Sequence, residues 1–190
     1  MGMESGRHIE MAIIDRNINS LFHSVTYRMK SIVIDPGDTQ HWEGTTDILL
    51  THAHFDHIYG LNELIAQAPE ARILTNEHGR RMLLDDKLNM SRYHETPFRL
   101  LYLENICIVD DNEVITLADG MEAQAFFTPG HNPSCITWRI GDMLFTGDSY
   151  IPGIKTVTNL PGGDKQQARA SESLIKSLSS GLVILPGHNV

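Results

Sequence analysis

The sequence predicts an α/β fold in which strands gather into groups and helices lie between the groups. Two observations indicate this. The strand-like apolar runs cluster instead of alternating regularly with helical patterns, and 190 residues is the length of one domain that buries a sizeable core. Regular alternation would predict a doubly wound parallel sheet, which we therefore do not expect. We expect a single domain that spans residues 1–190.

Apolar and β-branched runs predict the strands, and apolar residues at helical spacing predict three helices. The predicted strands, in chain order, are residues 21–27, 31–34, 48–50, 106–109, 113–117, 123–127, 136–140, 143–146 and 182–185. The predicted helices are residues 58–67, 77–84 and 166–178, the last of which follows the turn-forming segment Pro161-Gly162-Gly163-Asp164.

The loop after the strand at 48–50 is dense in metal-ligating side chains. Residues 51–57 read Thr-His-Ala-His-Phe-Asp-His. Because alternate residues of an extended segment point to the same side, we expect His52 and His54 to bind one ion. Asp56 and His57 would then turn toward a second ion. A histidine pair at i and i+4 of a helix would bind one ion only.

Three further candidate ligands each follow an apolar strand and a glycine, namely His131, Asp148 and His188. Glycine lets the backbone turn sharply and approach an ion closely. Since strand ends commonly carry function in α/β layers, we expect these three residues to meet at one rim. Together with the loop at 51–57 they predict a two-metal site.

The remaining histidines lack such a pattern. A lone histidine is usually a surface residue or a satisfied core residue, which is our interpretation of His8, His23, His78 and His94. His41 precedes Trp42 in a predicted loop, and we leave its role open.

These segments resemble the metallo-β-lactamase superfamily, whose motif His-x-His-x-Asp-His is followed by a His, an Asp and a final His. The resemblance spans residues 19–188, and Asp35-Pro36-Gly37 is similar to the family's turn before the metal loop. It implies a four-layer αββα sandwich. It also implies a ligand set, with His52, His54 and His131 at the first metal, Asp56, His57 and His188 at the second, and Asp148 bridging the two.

Two such cations about 3.5–4 Å apart lower the pKa of a shared water and polarise a carbonyl, so we expect a metal-dependent hydrolase. Asp56 is the candidate catalytic residue, because it would lie beside the attacking hydroxide and orient it or accept its proton. Imidazoles with two carboxylates suit two divalent ions, best of all Zn²⁺, and iron or manganese also occupies such sites.

Within the superfamily the chain resembles the glyoxalase II-like thioesterases, on Phe145-Thr146-Gly147-Asp148-Ser149 and Leu160-Pro161-Gly162-Gly163-Asp164. This implies a thioester substrate of the hydroxyacylglutathione type. The sequence reads on to Val190, two residues past His188, so we do not expect the helical domain that helps hold glutathione in that group.

The segment after Asp148 departs from that group's usual Gly-Arg pair and reads Gly153-Ile154-Lys155. Tyr150 and Lys155 are candidate contacts for an anionic substrate, with a packed tyrosine and a solvated lysine as the equal alternative.

Other classes stay open. A persulfide dioxygenase-like oxygenase would hold one iron on His52, His131 and Asp148, and a lactonase would use both metals with Tyr150 as carbonyl donor. A non-enzymatic metal-binding role is disfavoured, because a complete ligand set with an open position is the catalytic form of such a site.

A small-molecule substrate is also indicated by the net charge of −9 and the lack of a Lys/Arg cluster, which argue against nucleic acid. We expect a cytoplasmic protein without a membrane span, since no signal-peptide pattern and no apolar run of about 20 residues is present. A homo-oligomer is compatible with the sequence. Cys107 and Cys135 lack zinc-ribbon spacing and are predicted to be reduced and buried.

Overall fold

Two β-sheets form the centre of the computed structural model, which describes residues 14–38 and 40–189. The first sheet has six strands in the order β1-β2-β3-β4-β5-β6. The pairs β1/β2 and β2/β3 are antiparallel, and the strands from β3 to β6 run parallel. These strands are β1 Asp15–Ile18, β2 Val25–Met29, β3 Ile32–Ile34, β4 Asp47–Leu49, β5 Arg72–Thr75 and β6 Ile106–Ile108.

The second sheet has five strands in the order β11-β10-β9-β8-β7. Its pairs are antiparallel except β10 and β11, which are parallel. The strands are β7 Val114–Thr116, β8 Glu122–Phe127, β9 Ile136–Ile140, β10 Met143–Gly147 and β11 Val183–Pro186.

Three α-helices complete the fold, α1 Leu61–Gln67, α2 Glu77–Leu84 and α3 Lys165–Leu178. Asn76 caps α2 by accepting a hydrogen bond from the Gly79 amide (2.9 Å), and Asp164 caps α3 by accepting from the amides of residues 166 and 167 (2.8 and 2.9 Å). Such caps satisfy amides that a helix leaves unpaired at its start.

Alternation along the strands divides the apolar side chains between two cores. Ile32 and Ile34 of β3 belong to the core between the sheets, where they meet Trp138 and Phe145 of the second sheet. Val33 belongs to a second core formed with α1 and α2. On the other side, α3 buries Ala168 and Ser171, and the Ser171 hydroxyl donates to the Pro129 carbonyl after β8 (2.6 Å). The predicted αββα sandwich is confirmed.

Several predicted elements differ at their ends. The run at 21–27 starts too early, because Phe22 and His23 have positive φ angles (52° and 55°) and form a turn before Val25. The helix predicted from residue 58 begins at Leu61, after the single 3-10 turn Phe55–His57.

Two strands were not predicted. β1 is largely exposed and carries no apolar alternation, and β5 is a short strand whose apolar residues are only Ile73 and Leu74. Both cysteines are free thiols as expected, but only Cys135 is fully buried, because Cys107 lies in the edge strand β6 and is partly buried against the core between the sheets. His8 lies outside the described residues.

Among the described residues, no helix combines the length and the apolar character that crossing a membrane requires.

Candidate metal centre

All seven predicted ligands meet at one rim of the sandwich, where strands of both sheets end. The loop after β4 carries His52, His54, Asp56 and His57, and the segments that follow β8, β10 and β11 carry the rest. Parallel pairing places the ends of neighbouring strands at one edge, which is why residues distant in sequence assemble here.

The first group of ligand atoms belongs to His52, His54 and His131, which are buried and offer nitrogens within 4.8 Å of one another. His54 Nδ1 lies 2.9 Å from His131 Nε2. The His52 ring lies 4.9 Å from the His54 ring and 5.0 Å from the His131 ring, measured between centroids. Three imidazoles at these separations can hold one metal ion.

The second group consists of Asp56, His57 and His188, whose ligand atoms also lie within 4.8 Å of one another. Asp56 Oδ2 is 3.3 Å from His57 Nε2 and 3.3 Å from His188 Nε2. The two imidazole nitrogens are 3.3 Å apart. This group offers one carboxylate and two imidazoles to a second ion.

Asp148 lies between the two groups and contacts both. Its Oδ2 is 3.5 Å from His131 Nε2 of the first group and 3.2 Å from His188 Nε2 of the second. Its Oδ1 is 3.6 Å from His57 Nε2. One carboxylate that faces both groups has the position of a bridging ligand.

Hydrogen bonds on the far side of three imidazoles fix which ring nitrogen faces the centre. His131 Nδ1 donates to the Val157 carbonyl (2.9 Å), and His188 Nδ1 donates to the Phe22 carbonyl (2.9 Å). His57 Nδ1 donates to Asp35 Oδ2 (3.0 Å). Since each acceptor takes the proton on Nδ1, Nε2 is the nitrogen that faces the centre and that would bind a metal ion.

Asp35 is a site residue that the sequence analysis missed, because it was interpreted only as part of a turn. Its carboxylate also accepts hydrogen bonds from the Thr51 amide (2.7 Å) and the Thr51 hydroxyl. Burial raises the pKa of Asp35 despite these contacts. Both carboxylate oxygens of Asp35 already accept hydrogen bonds. We therefore assign Asp35 the role of positioning the loop of residues 51–57 and not that of binding an ion.

At two positions in the centre, only glycine fits, because an added Cβ would collide with neighbouring atoms. Gly147 has a φ of 51°, and a Cβ there would overlap the Thr51 hydroxyl. A Cβ on Gly187 would lie 2.5 Å from Asp148 Oδ1 and 2.9 Å from His57 Cε1. The expectation that glycine permits close approach at the strand ends is met at both positions.

The protonation preferences of the cluster suit cations. Burial holds the pKa of His52 well below its ordinary value and lowers that of His54 to about 3, so both imidazoles are neutral. For Asp56 and Asp148, burial acts to raise the pKa, but the nearby His57 and His188 outweigh it and lower the pKa of both carboxyls. For His57 and His188, burial acts to lower the pKa, but Asp56 and Asp148 outweigh it and raise the pKa of both rings, to about 10 for His188. The two carboxylates thus hold positive charge on these rings, and a metal ion would take the place of the protons.

Two buried atoms of the cluster, His52 Nε2 and Asp148 Oδ1, have no hydrogen-bond partner among the described residues. Buried polar atoms without a partner are costly unless a ligand satisfies them. Both are metal-ligating atoms in a set of imidazoles and carboxylates. The residues present therefore fit divalent metal ions.

A cleft of about 510 Å³ opens over the ligands. Its floor includes His54, Asp56, His131, Asp148 and His188. Its walls carry four aromatic side chains, Phe22, Phe55, Tyr93 and His94, and three aliphatic ones, Met90, Val157 and Leu160.

The sequence analysis missed these wall residues. It treated His94 as an ordinary histidine, whereas the ring lies 4.7 Å from the Phe55 ring in the cleft wall. The exposed positions of His23 and His78 agree with the prediction for them, and His41, left open, is exposed as well.

The two predicted substrate contacts are placed differently. Lys155 is exposed and lines a small pocket of about 30 Å³ beside His131 and Asp148, so it lies next to the metal centre. Tyr150 is not among the described residues that line the cleft. Its ring lies 5.6 Å from Lys176 Nζ of α3.

Comparison with known proteins gives one family match. The sequence model described as "Metallo-beta-lactamase superfamily" matches residues 25–188. The probable metallo-hydrolase YqgX of Bacillus subtilis is 28% identical over 170 residues, which cover 84% of this chain and 76% of that protein.

A hydroxyacylglutathione hydrolase of Xylella fastidiosa is 31% identical over 129 residues, or 64% of this chain. That alignment spans 42% of the length of the Xylella enzyme. Among solved structures, the BLEG-1 B3 metallo-beta-lactamase superimposes with a TM-score of 0.78 at 24% identity, over 94% of this chain and 92% of that one. The structural similarity shows the same fold.

Proposed function

We propose that this chain, which belongs to the metallo-beta-lactamase superfamily of metal-dependent hydrolases, binds two divalent metal ions and hydrolyses a thioester. One observation carries the two-metal part of the proposal. Asp148 contacts His131 of one triad and both His57 and His188 of the other, which is the placement a shared carboxylate needs. A mononuclear site would need only one of the two triads.

Held by these residues, two divalent ions would supply a nucleophile by lowering the pKa of a shared water, and would polarise the scissile carbonyl. We propose Zn²⁺, because five imidazoles and two carboxylates form a borderline-soft donor set. His52, His54 and His131 would hold one ion, Asp56, His57 and His188 the other, and Asp148 both.

The remaining catalytic work falls to the protein's own groups. The ligands on the floor of the cleft mark where the substrate carbonyl enters, while His52 and His57 are fully buried behind them. Asp56 Oδ2 lies 3.3 Å from Nε2 of both other members of its triad, His57 and His188, and we assign this carboxylate the role of orienting the water and taking its proton. Ligand orientation is maintained by Asp35 and by the Phe22 and Val157 carbonyls.

In the overall reaction, the water oxygen forms a bond to the acyl carbon and the carbon–sulfur bond breaks. The proton taken from the water passes to the departing sulfur, so that the products are a carboxylic acid and a thiol. No redox partner is required.

The thioester class is supported by two similarities and by the size of the cleft. The segments at residues 145–149 and 160–164 resemble those of glyoxalase II-like enzymes, and the Xylella relative is a hydroxyacylglutathione hydrolase. A cleft of about 510 Å³ has the volume of a small-molecule site.

The proposal is tested on protein purified without chelator. Elemental mass spectrometry should find close to two ions per chain, and S-D-lactoylglutathione and small neutral thioesters should be hydrolysed with release of free thiol. Removing the metal should abolish the release, and Zn²⁺ should restore it. One iron per chain, with oxygen uptake on a persulfide, would instead establish the oxygenase alternative on His52, His131 and Asp148.

Substitution of Asp148 by Asn replaces one carboxylate oxygen by an NH₂ group, which cannot bind a metal ion. It should therefore lower both the metal content and the rate of thioester hydrolysis. The matched control is His78→Ala, which removes an exposed histidine of α2 outside the cluster. Equal losses in both variants would count against a bridging role for Asp148.

A further inference from the structure

The walls of the cleft above the metal ligands are apolar and aromatic. Outside the ligand set, no described residue that lines this cleft is Asp, Glu, Lys or Arg. Lys155 lines the adjoining small pocket, which shares His131, Asp148 and Val157 with the cleft, but it is not among the described residues that line the cleft itself. A charged acyl group that packs against these walls, away from the ligands on the floor, would therefore lose water without gaining a partner of opposite charge.

Two aromatic residues at the mouth of the cleft are unusually exposed. The side chains of Phe22 and Tyr93 keep 65% and 73% of their surface accessible. Isolated exposed apolar residues need no explanation, but these two belong to one surface that continues through His94 and Phe55 down to the ligands. An apolar surface continuous with a catalytic centre marks a place where a ligand is buried.

The rings form a continuous wall made by two distant parts of the chain. The Phe22 ring meets the His94 ring edge-on at 5.9 Å, and His94 meets Phe55 at 4.7 Å. Phe22 belongs to the turn before β2, and His94 follows the turn Ser91–Tyr93 after α2. The wall thus depends on both loops being held in place.

Both loops contain non-glycine residues in the left-handed region of backbone space. Phe22 has a φ of 52° and Met90 a φ of 68°. Such conformations cost free energy and persist where the surroundings enforce them, often at functional sites. Here each loop is held by a backbone hydrogen bond next to the residue concerned. The Asn189 amide donates to the His23 carbonyl (3.0 Å), and the Phe55 amide donates to the Asn89 carbonyl (2.9 Å).

Asn89 is the fully buried residue that holds the second loop. Its side-chain amide donates to the carbonyls of Met82 (3.0 Å) and Phe98 (3.1 Å), and its oxygen accepts from the Ser91 amide (2.9 Å). The loop that presents Met90, Tyr93 and His94 is therefore built as a fixed wall of the cleft.

We infer that this wall selects the acyl part of the substrate, and that the preferred substrates are thioesters of uncharged, apolar acyl groups, aromatic or alkyl, packed between Phe22, Tyr93 and His94. This inference rests on the proposed thioester hydrolysis. It narrows the preferred substrates to thioesters whose acyl group is apolar, and polar hydroxyacyl groups are then disfavoured. The acyl chain extends along the wall while its carbonyl lies at the ligands on the floor.

The test keeps one neutral thiol, N-acetylcysteamine, and varies the acyl group of its thioester through acetyl, butanoyl, hexanoyl, phenylacetyl, D-lactoyl and succinyl. Metal-loaded protein is assayed by release of free thiol. From acetyl to hexanoyl we expect kcat/KM to rise about threefold per methylene, as burial of a hydrocarbon chain predicts. Phenylacetyl should exceed D-lactoyl by at least about tenfold, and succinyl should be the poorest.

Variants locate the preference in the wall. Phe22→Ala and Tyr93→Ala should each lower the ratio of kcat/KM for the hexanoyl thioester to that for the acetyl thioester at least threefold. Tyr93→Phe should keep the native ratio, because the ring and not the hydroxyl provides the contact. Phe22→Ala retains the backbone carbonyl that His188 uses. The control is Leu103→Ala, which removes an apolar residue of similar exposure (52%) that does not line the cleft and should leave the ratio unchanged.

Binding of the products gives a readout that does not depend on turnover. By calorimetry, phenylacetate should bind at least about tenfold more tightly than lactate, and Phe22→Ala should reduce this difference. Thioester turnover with a flat chain-length profile, or with a preference for D-lactoyl or succinyl, would overturn this inference and leave the proposed function standing. Absence of turnover for every thioester would overturn both.

Discussion

The imidazole of His57 donates a hydrogen bond through Nδ1 to Asp35 Oδ2, over 3.0 Å and 22 residues of sequence. Asp35 directly follows β3, and His57 lies on the loop that follows the parallel neighbour β4. Their contact therefore follows from the pairing of two strands. It connects the turn after β3 to the ligand set, because His57 Nε2 faces Asp56 and Asp148.

Asp35→Asn should weaken binding of the second metal ion by about 10–100-fold and leave the first nearly unchanged. The carboxylate accepts from the Thr51 amide, the Thr51 hydroxyl and His57, so an amide would place its NH₂ against one of these donors. Competition with a chromogenic chelator measures both affinities. Asp142→Asn, which changes an exposed carboxylate, is the control. Native affinity for both ions in Asp35→Asn would show that Asp35 does not orient His57.

Gly187→Ala should reduce metal content while the protein still folds. The added methyl would lie 2.5 Å from Asp148 Oδ1 and 2.9 Å from His57 Cε1, so both ligands would have to move. We expect a loss of about 1–3 kcal/mol in the free energy of unfolding, as for other overpacked sites. Circular dichroism during heating and elemental mass spectrometry measure the two effects. The control Ser180→Ala, at an exposed position before β11, should show neither effect. Full metal content in Gly187→Ala would contradict the steric argument.

The two tryptophans should respond differently to replacement by phenylalanine, although both are fully buried. Trp138 Nε1 donates to the carbonyl of Leu50 (2.9 Å), the residue just before the loop of residues 51–57. Trp42 Nε1 has no hydrogen-bond partner among the described residues. Trp138→Phe should therefore lower the free energy of unfolding by about 1–3 kcal/mol more than Trp42→Phe. Urea unfolding of the two variants makes this comparison. Equal losses in the free energy of unfolding would mean that the hydrogen bond from Trp138 to the Leu50 carbonyl contributes little to stability.

The two thiols should differ in reactivity. Burial raises the pKa of Cys135 to about 12, so almost none of it is thiolate at pH 8, and the side chain is also inaccessible. Cys107 is only partly buried, in the edge strand β6. An aromatic disulfide reagent should therefore titrate one thiol per native chain and two after denaturation, and Cys107→Ser should abolish the native reaction. Two fast-reacting thiols in the native protein would contradict the burial of Cys135.

The seven residues of the candidate metal centre could be named from sequence because each carries a local signal. The spacing of His52, His54, Asp56 and His57 on one loop is distinctive, and His131, Asp148 and His188 each follow an apolar strand and a glycine. Strand ends assemble at a rim whenever the strands pair in register, so local pattern and final position agree. The strand at Ile136–Ile140 was predicted to the residue for a similar reason, since its apolar residues alternate regularly. The bounds of the helix at Glu77–Leu84 were also predicted correctly.

Only the tertiary structure decided what surrounds the ligands. Phe22, Tyr93 and His94 lie on irregular loops, which have no periodic pattern to show which way a side chain points, and they become a wall only where two distant loops meet. Asp35 likewise has the sequence pattern of an ordinary turn until β3 and β4 pair and bring it to His57. By itself the sequence determined the family, the sandwich and the candidate ligands. The cleft that would choose the substrate depends on long-range packing of side chains, which no local pattern encodes.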